Sequence, residues 1–252
     1  MEKCYDEDMY CAGKFALDII KKRTYPKGFV VGKRNKFVEE VFKECIGNTC
    51  GNVTTILSYL GVQTFPIAHF DMSEQGLKLT SDLKHYGADI RFVQNTPKGG
   101  TTLFECVHKR DKNTGDWIRA YRQFSPGSRF PKRKNLRGRD EAPAFLANLD
   151  FTPDVYFFDS PESGFRVLAE GLRQKGALVY FEPEGKVQEA KLIAAIRMSD
   201  VIKFSDEDSL TLTSAKTSQT SCLFRQWAVK VSASPFVEAS GRRLPLCRMT
   251  TL

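Results

Sequence analysis

From about residue 140 the sequence alternates short apolar runs with amphipathic stretches, and this alternation constrains the fold more than any other feature of the chain. Val155–Phe158 and Ala177–Phe181 are apolar throughout, and Val201–Phe204 reads as a third strand of the same kind. Between them, Glu162–Lys175 (stopped by Gly176) and Lys186–Met198 carry helical spacing, and Glu141–Leu149 precedes them as a helix. A strand with no polar face has no side to give to water. Such strands belong in a parallel sheet covered on both faces by the helices that connect them.

The front of the chain is more broken. Met9–Gly13 reads as a short buried strand running into Ala16–Ile20. Residues 25–46, with Pro26, Gly28 and Gly32, read as strands with turns that form a half-exposed flap. Asn52–Leu60 is expected to be a helix ending at Gly61, and Gln63–Phe70 a strand. Ser73 can cap a helix running to Tyr86, with Leu77, Leu83 and Tyr86 on one face and Gly87 as its stop. Arg91–Val93, Thr101–His108 and Trp117–Tyr121 are strand-like, the last two joined at Asn113-Thr114-Gly115.

Composition narrows the function classes. The apolar and charged fractions, 41% and 27%, are those of a globular protein, and the chain is long enough for a sizeable core. No apolar run approaches the ~20 residues of a membrane helix, and the start, Met-Glu-Lys-Cys-Tyr-Asp-Glu-Asp, is no signal peptide. The expected compartment is the cytoplasm, with no membrane partner. Seven scattered cysteines without a C-x-x-C pair read as reduced, mostly buried thiols. His69, His85 and His108 stand far apart and suggest no metal site or triad. The net charge of +8 comes from two stretches: Arg129, Lys132, Arg133, Lys134, Arg137 and Arg139, and the tail with Arg225, Lys230, Arg242, Arg243 and Arg248. The remainder is slightly acidic, so nucleic acid is not the expected partner.

One stretch points to chemistry. In Ile46-Gly47-Asn48-Thr49-Cys50-Gly51-Asn52-Val53 a glycine turn enters a helix, which aims free N–H groups at whatever lies before it and suits an oxygen-rich ligand. It is no Walker A loop, since no Gly-Lys-Ser/Thr follows. With its helix ending Tyr59-Leu60-Gly61, it resembles the G-G-x-x-x-N signature of the ribokinase (PfkB) carbohydrate kinase family. Thr64–Gly76, Ala12–Asp18 and Val201–Asp208 resemble further blocks of that family in the same order, and together they span residues 9–210.

The resemblance implies an α/β, ribokinase-like fold: a mostly parallel central sheet flanked by helices, with a small β-sheet lid formed by about residues 21–46 and 90–122. It implies ATP-dependent transfer of a phosphoryl group to a hydroxyl of a sugar or nucleoside, a phosphotransferase reaction with an alcohol acceptor, with Mg²⁺ as cofactor. A homodimer through the lid would fit it. Position by position, it makes Asp18, Gly47, Asn48, Asn52 and Asp159 substrate-binding, with Asp18 at a strand's C-terminal edge and Asn52 first in its helix. Glu182, Ser205 and Asp208 would lie near the nucleotide phosphates and Mg²⁺. Three departures stand out. Asn48 replaces the second glycine of the pair, Asp71 and Met72 stand where Gly and Asp are usual, and Ser205 and Asp208 replace the Asn and Glu of Asn-x-x-Glu.

The family's anion hole and catalytic base come from a late D-T-x-G-A-G-D motif, and no Gly-Ala-Gly-Asp stands anywhere in the chain. The expectation is a kinase domain over residues 1–223 with the C-terminal part of the fold missing, a catalytically incompetent fragment. Residues 224–252 are expected to be an aberrant, poorly ordered tail translated out of frame. Shifting the frame by two bases makes Trp227 with Ala228 encode Gly and Met249 with Thr250 encode Asp, which resembles the approach to the missing motif. The alternative is a non-catalytic module on a degenerate kinase fold, binding sugar, or nucleic acid through Arg129–Arg139.

Overall fold

The computed structural model describes residues 7–97, 100–124, 138–183 and 187–204. The tail, the basic stretch 129–137, Ser205 and Asp208 lie outside the described residues.

The apolar runs form a parallel sheet. Strands β1 (Asp8–Ala12), β4 (Gln63–Phe70), β5 (Val93–Asn95), β8 (Val155–Phe158), β9 (Leu178–Phe181) and β10 (Val201–Ile202) lie in the order β10-β9-β8-β1-β4-β5. Every pairing in this sheet is parallel. Alternate side chains feed two cores. Met9, Cys11, Ala68, Phe70 and Phe157 pack with Leu79 and Leu83 of α2 (Glu74–His85) and Cys50 of α1 (Thr49–Tyr59). On the opposite face lie Tyr10, Tyr156, Phe158 and Phe181, all fully buried. There the Tyr156 hydroxyl donates to Phe165 O of α4 (Ser163–Gln174) at 3.1 Å. The flanking helices α3 (Gly138–Ala147) and α5 (Glu189–Met198) pack against α4.

A second sheet of four strands has the order β3-β2-β6-β7, from β2 (Ala16–Thr24), β3 (Val38–Gly47), β6 (Thr102–Arg110) and β7 (Trp117–Phe124). It is mixed, because β2 pairs antiparallel with β3 but parallel with β6. One face of its root, Leu17, Ile46 and Leu103, is buried in the α1/α2 core. Its outer reaches leave Phe42 and Tyr121 exposed.

Several sequence expectations need correction. Residues 25–37 contain no strand, and β3 begins only at Val38. The stretch 90–122 does not go to the small sheet as a unit: Ile90–Phe92 is a 3₁₀ turn and β5 joins the central sheet beside β4. The Asp89 side chain accepts from Arg91 N at 3.0 Å, which caps that turn where a strand was expected. In α2 the buried face is Gly76, Leu79 and Leu83, while Leu77 and Tyr86 are exposed. The Ser73 cap forms as expected, its hydroxyl accepting from Gly76 N at 3.1 Å.

Two carboxylates, Asp159 fully buried and Asp71 half-buried, hold crossings between the two sheets. Asp159, just beyond β8 and fully buried, accepts from Lys14 N and Cys50 N, each at 2.9 Å. Lys14 lies in the β1–β2 passage, and Cys50 is the second residue of α1, just after the chain leaves β3. Asp71, after β4, accepts from Ser73 N at 3.1 Å, Thr101 Oγ1 at 2.8 Å and Thr101 N at 3.3 Å, and also from the Ser73 hydroxyl. It thereby fixes the entry to β6. Asp159→Asn is expected to destabilise the chain by about 2–4 kcal/mol, since an amide replaces one charged acceptor with a donor facing an N–H. Urea unfolding with unchanged slope would check it; a loss below ~1 kcal/mol would contradict the assignment.

Candidate functional site

The strand order reverses between β1 and β8. From β1 the chain builds outward through β4 and β5, then returns to place β8, β9 and β10 on the other side. In open α/β sheets the crevice at the carboxyl ends of strands flanking such a reversal is where ligands gather. Here that crevice is bounded by Gly13 and Lys14 after β1, Asp159 after β8, Glu182 after β9 and the N-terminus of α1.

Asp18, Gly47 and Asn48 lie together beside the N-terminus of α1, and Asp159 reaches the same helix start through Cys50 N. Asp18 lies in β2, two residues after the small sheet begins, and not at a C-terminal strand edge as the sequence suggested. Its carboxylate sits directly over the Cα of Gly47: a Cβ there would lie 2.2 Å from Asp18 Oδ1 and 2.3 Å from Oδ2. Glycine at 47 is therefore a steric requirement of the carboxylate. Cys45 is the register partner of Asp18 across β2 and β3, so the two side chains share a face. Burial pushes the Cys45 thiol pKa up, and the Asp18 charge pushes it further in the same direction. Cys45 was not among the residues singled out from sequence; only the strand register reveals it.

Asn48 follows with φ 63° and ψ 164°, the one non-glycine with positive φ among the described residues. That region is essentially reserved for glycine and costs a residue with a Cβ on the order of 1–3 kcal/mol. Asn48 is the N-cap position of α1, which begins at Thr49. Asn52 is thus the fourth residue of its helix and not the first; its N–H donates to Asn48 O at 2.9 Å, and it is exposed. The early start follows from the turn at Gly47-Asn48, which directs the chain into the helix sooner than the sequence pattern suggests.

Asp159 is used differently from the substrate contact that the resemblance implies. Each of its oxygens accepts a backbone N–H, and it has no exposed surface. A Cβ on Gly13 would lie 2.2 Å from Asp159 Oδ1, so this carboxylate also demands glycine next to it. Its neighbours hold their protons. Burial raises the Cys11 thiol to about 12 and lifts Tyr156 well above the usual tyrosine value, with the Asp159 charge adding to both.

Glu182, expected near a nucleotide, donates its backbone N–H to Phe158 O at 3.1 Å, which sets it beside the end of β8. Its carboxylate accepts from Lys203 Nζ at 2.7 Å. Among the described residues no group of three or more His, Cys, Asp or Glu converges as a metal site, and Glu182 is already ion-paired. These residues do not by themselves fit Mg²⁺. No described helix is long and apolar enough to cross a membrane. A cavity of about 620 Å³ lined by Ile67, His69, Phe92, Thr96, Glu141 and Phe145 lies at the β4–β5 edge and includes none of the expected site residues.

No family model and no curated protein matches the sequence. Solved structures do. Fructokinase from Xylella fastidiosa superposes with TM-score 0.59 at 17% identity, over 88% of this chain and 66% of that one. Arabidopsis thaliana ribokinase, complexed with ribose and ATP, gives 0.61 at 10% identity, over 88% and 69%. The nucleoside kinase of Methanocaldococcus jannaschii, an archaeal member of the ribokinase family, gives 0.53 at 13% identity, over 90% and 65%. The chain thus spans about two thirds of the length of the structures it matches. A parallel sheet with helices on both faces, a second small sheet rooted beside β1 and this set of matches give one conclusion: the chain has the ribokinase-like fold of sugar and nucleoside kinases.

Proposed function

We propose that the crevice between β1 and β8 binds a sugar or nucleoside through its hydroxyls, on a scaffold of the ATP-dependent carbohydrate kinase type. The observation that carries this reading is the Asp18 carboxylate, seated on Gly47 beside the N-terminus of α1. A carboxylate only accepts hydrogen bonds, and hydroxyls are the donors a neutral polyol offers. The small sheet that carries Asp18 would serve as the lid, and its exposed Phe42 and Tyr121 are compatible with a homodimer formed there. ATP would approach from the Glu182 side, and Mg²⁺ would need oxygen ligands beyond those described.

Phosphoryl transfer needs a base for the acceptor hydroxyl and donors for the developing phosphate charge. In the resembling family both come from Gly-Ala-Gly-Asp, which the 252 residues do not contain. In our reading this chain on its own binds without transferring. Lacking base and donors together, it should turn over at least ~10⁴-fold more slowly than an intact kinase of this type.

Calorimetry with D-fructose, D-ribose and adenosine tests binding. One of the three should bind, and Asp18→Ala should weaken it by about 2–3 kcal/mol, the worth of charge-assisted hydrogen bonds. Binding unaffected by Asp18→Ala would refute the assignment. Labelled ATP with the same sugar tests the second half, where repeated turnover abolished by Asp18→Ala would overturn it.

Alkylation of Cys45 gives an independent check. Asp18 raises the thiol pKa, so Asp18→Asn should lower it and increase the thiolate fraction at pH 7–8. Iodoacetamide should then label Cys45 faster in Asp18→Asn than in wild type. Equal rates would mean that the two groups do not face one another.

A further inference from the structure

One face of the β4–β5 edge is left open by the helix beside it. Ile67, His69, Gln94 and Thr96 share that face: His69 is the register partner of Gln94, and the other two stand two residues from these along the chain. Opposite them stand Glu141, Ala144, Phe145 and Asn148, spaced as one face of α3 and the turn that ends it. A helix over a sheet ordinarily closes this space with interdigitating apolar side chains. Here α3 packs on α4 and meets the sheet edge through Phe145, whose ring contacts Phe92 edge-on at 4.9 Å. The cavity of about 620 Å³ that remains has the size of a small-molecule site, with the exposed Gln94 and Asn148 on its wall. Its polar groups are poorly matched from within. Thr96 Oγ1 is buried without a hydrogen-bond partner, although the Thr96 N–H is fixed to Phe70 O at 2.9 Å. Among the described residues the Gln94 carboxamide has no hydrogen-bond partner either. Asn148 donates Nδ2 to Ala144 O at 2.7 Å and keeps Oδ1 as an acceptor. Folded proteins leave few buried polar atoms unpaired, and an orphan hydroxyl on a cavity wall is a group that a ligand's polar edge can satisfy.

We propose that this cavity binds a neutral aromatic heterocycle of the nucleobase type, at a site separate from the crevice bounded by Asp159 and Glu182. The walls select that chemistry. Phe92 and Phe145 give a flat ring aromatic surface to lie against. Gln94 offers donors and an acceptor, Thr96 a hydroxyl that does both, and Asn148 an acceptor. That set matches a ring edge on which N–H groups alternate with carbonyl oxygens or ring nitrogens. A polyol has no flat apolar face to set against the two phenylalanines. A phosphate is disfavoured as well: the Arg91 guanidinium on the wall is paired with Asp89 at 2.6 Å, and Glu141 brings a carboxyl to the same cavity. The base alone, without a phosphate, is the ligand that these walls fit.

Adenine, guanine and uracil, titrated into the full chain by calorimetry, test the proposal, with amide chemical shifts of labelled protein reporting where they bind. Free bases carry no sugar hydroxyls for Asp18, so the Asp18→Ala chain should bind them as wild type does. At least one base should bind at a single site and shift the amides of Gln94, Thr96 and Phe145. Thr96→Val keeps the side-chain shape and removes the hydroxyl. It should bind that base about fivefold or more weakly, and melt no lower than wild type, since the lost hydroxyl had no partner. Ala144→Leu fills the cavity from α3 and should weaken binding about tenfold or more. Failure of all three bases to bind at millimolar concentration overturns the proposal. Equal affinity in Thr96→Val overturns the part given to the hydroxyl, and a Thr96→Val chain that melts lower overturns the premise that it is unpartnered. Binding lost in Asp18→Ala and kept in Ala144→Leu would put the base beside Asp18 and overturn the second site.

Discussion

A single buried carboxylate organises this molecule. Placing an ionised group in the core is costly unless its lone pairs are satisfied, and Asp159 meets that condition with two backbone donors that arrive from distant parts of the chain. Lys14 N opens the passage from the central sheet into the small one, and Cys50 N opens α1 just after the chain leaves it. The same carboxylate stands in for a missing side-chain cap on α1 and excludes any Cβ at position 13. Removing its charge would loosen both passages at once. The third described passage, from β5 to β6, is held in the same manner by Asp71 through Thr101 and Ser73.

These clamps tie the small sheet to the central one at its root. The small sheet is buried where Leu17, Ile46 and Leu103 enter the α1/α2 core and is exposed further out. Asp18 sits near that root, on the strand that leaves Lys14, so its position is inherited from the Asp159 bonds. Close packing of Asp18 on Gly47 then brings the carboxylate to the N-terminus of α1, where the helix dipole favours an oxygen-rich ligand.

Much of the central sheet was legible in the sequence, since apolar runs such as Val155–Phe158 and Ala177–Phe181 have no other use, and caps such as Ser73 act locally. The rest required contacts that periodicity does not encode. Asp159 reads as a strand-end acid, and nothing near it in sequence indicates that its partners lie 145 and 109 residues away. Asn52 has the look of a helix start, but the turn at Gly47-Asn48 moves that start forward. Asp71 registered as a departure from a motif, and its network with Thr101 shows what the departure does. Ile90–Phe92 carries strand-forming residues and is nevertheless drawn into a 3₁₀ turn by the Asp89 cap. Cys45 becomes a neighbour of Asp18 only once the β2–β3 register is known.

The most direct test of this account is native-state hydrogen exchange at the amides of Lys14 and Cys50. Both N–H groups donate to a fully buried carboxylate, so in wild type they should exchange only through opening of the whole domain, as slowly as amides in β1 and β8. In Asp159→Asn these two positions should exchange faster than β1 and β8, as the passages they anchor open locally. Fast exchange of Lys14 and Cys50 in the wild-type chain, while β1 and β8 stay protected, would contradict the claim that Asp159 holds the two sheets in register.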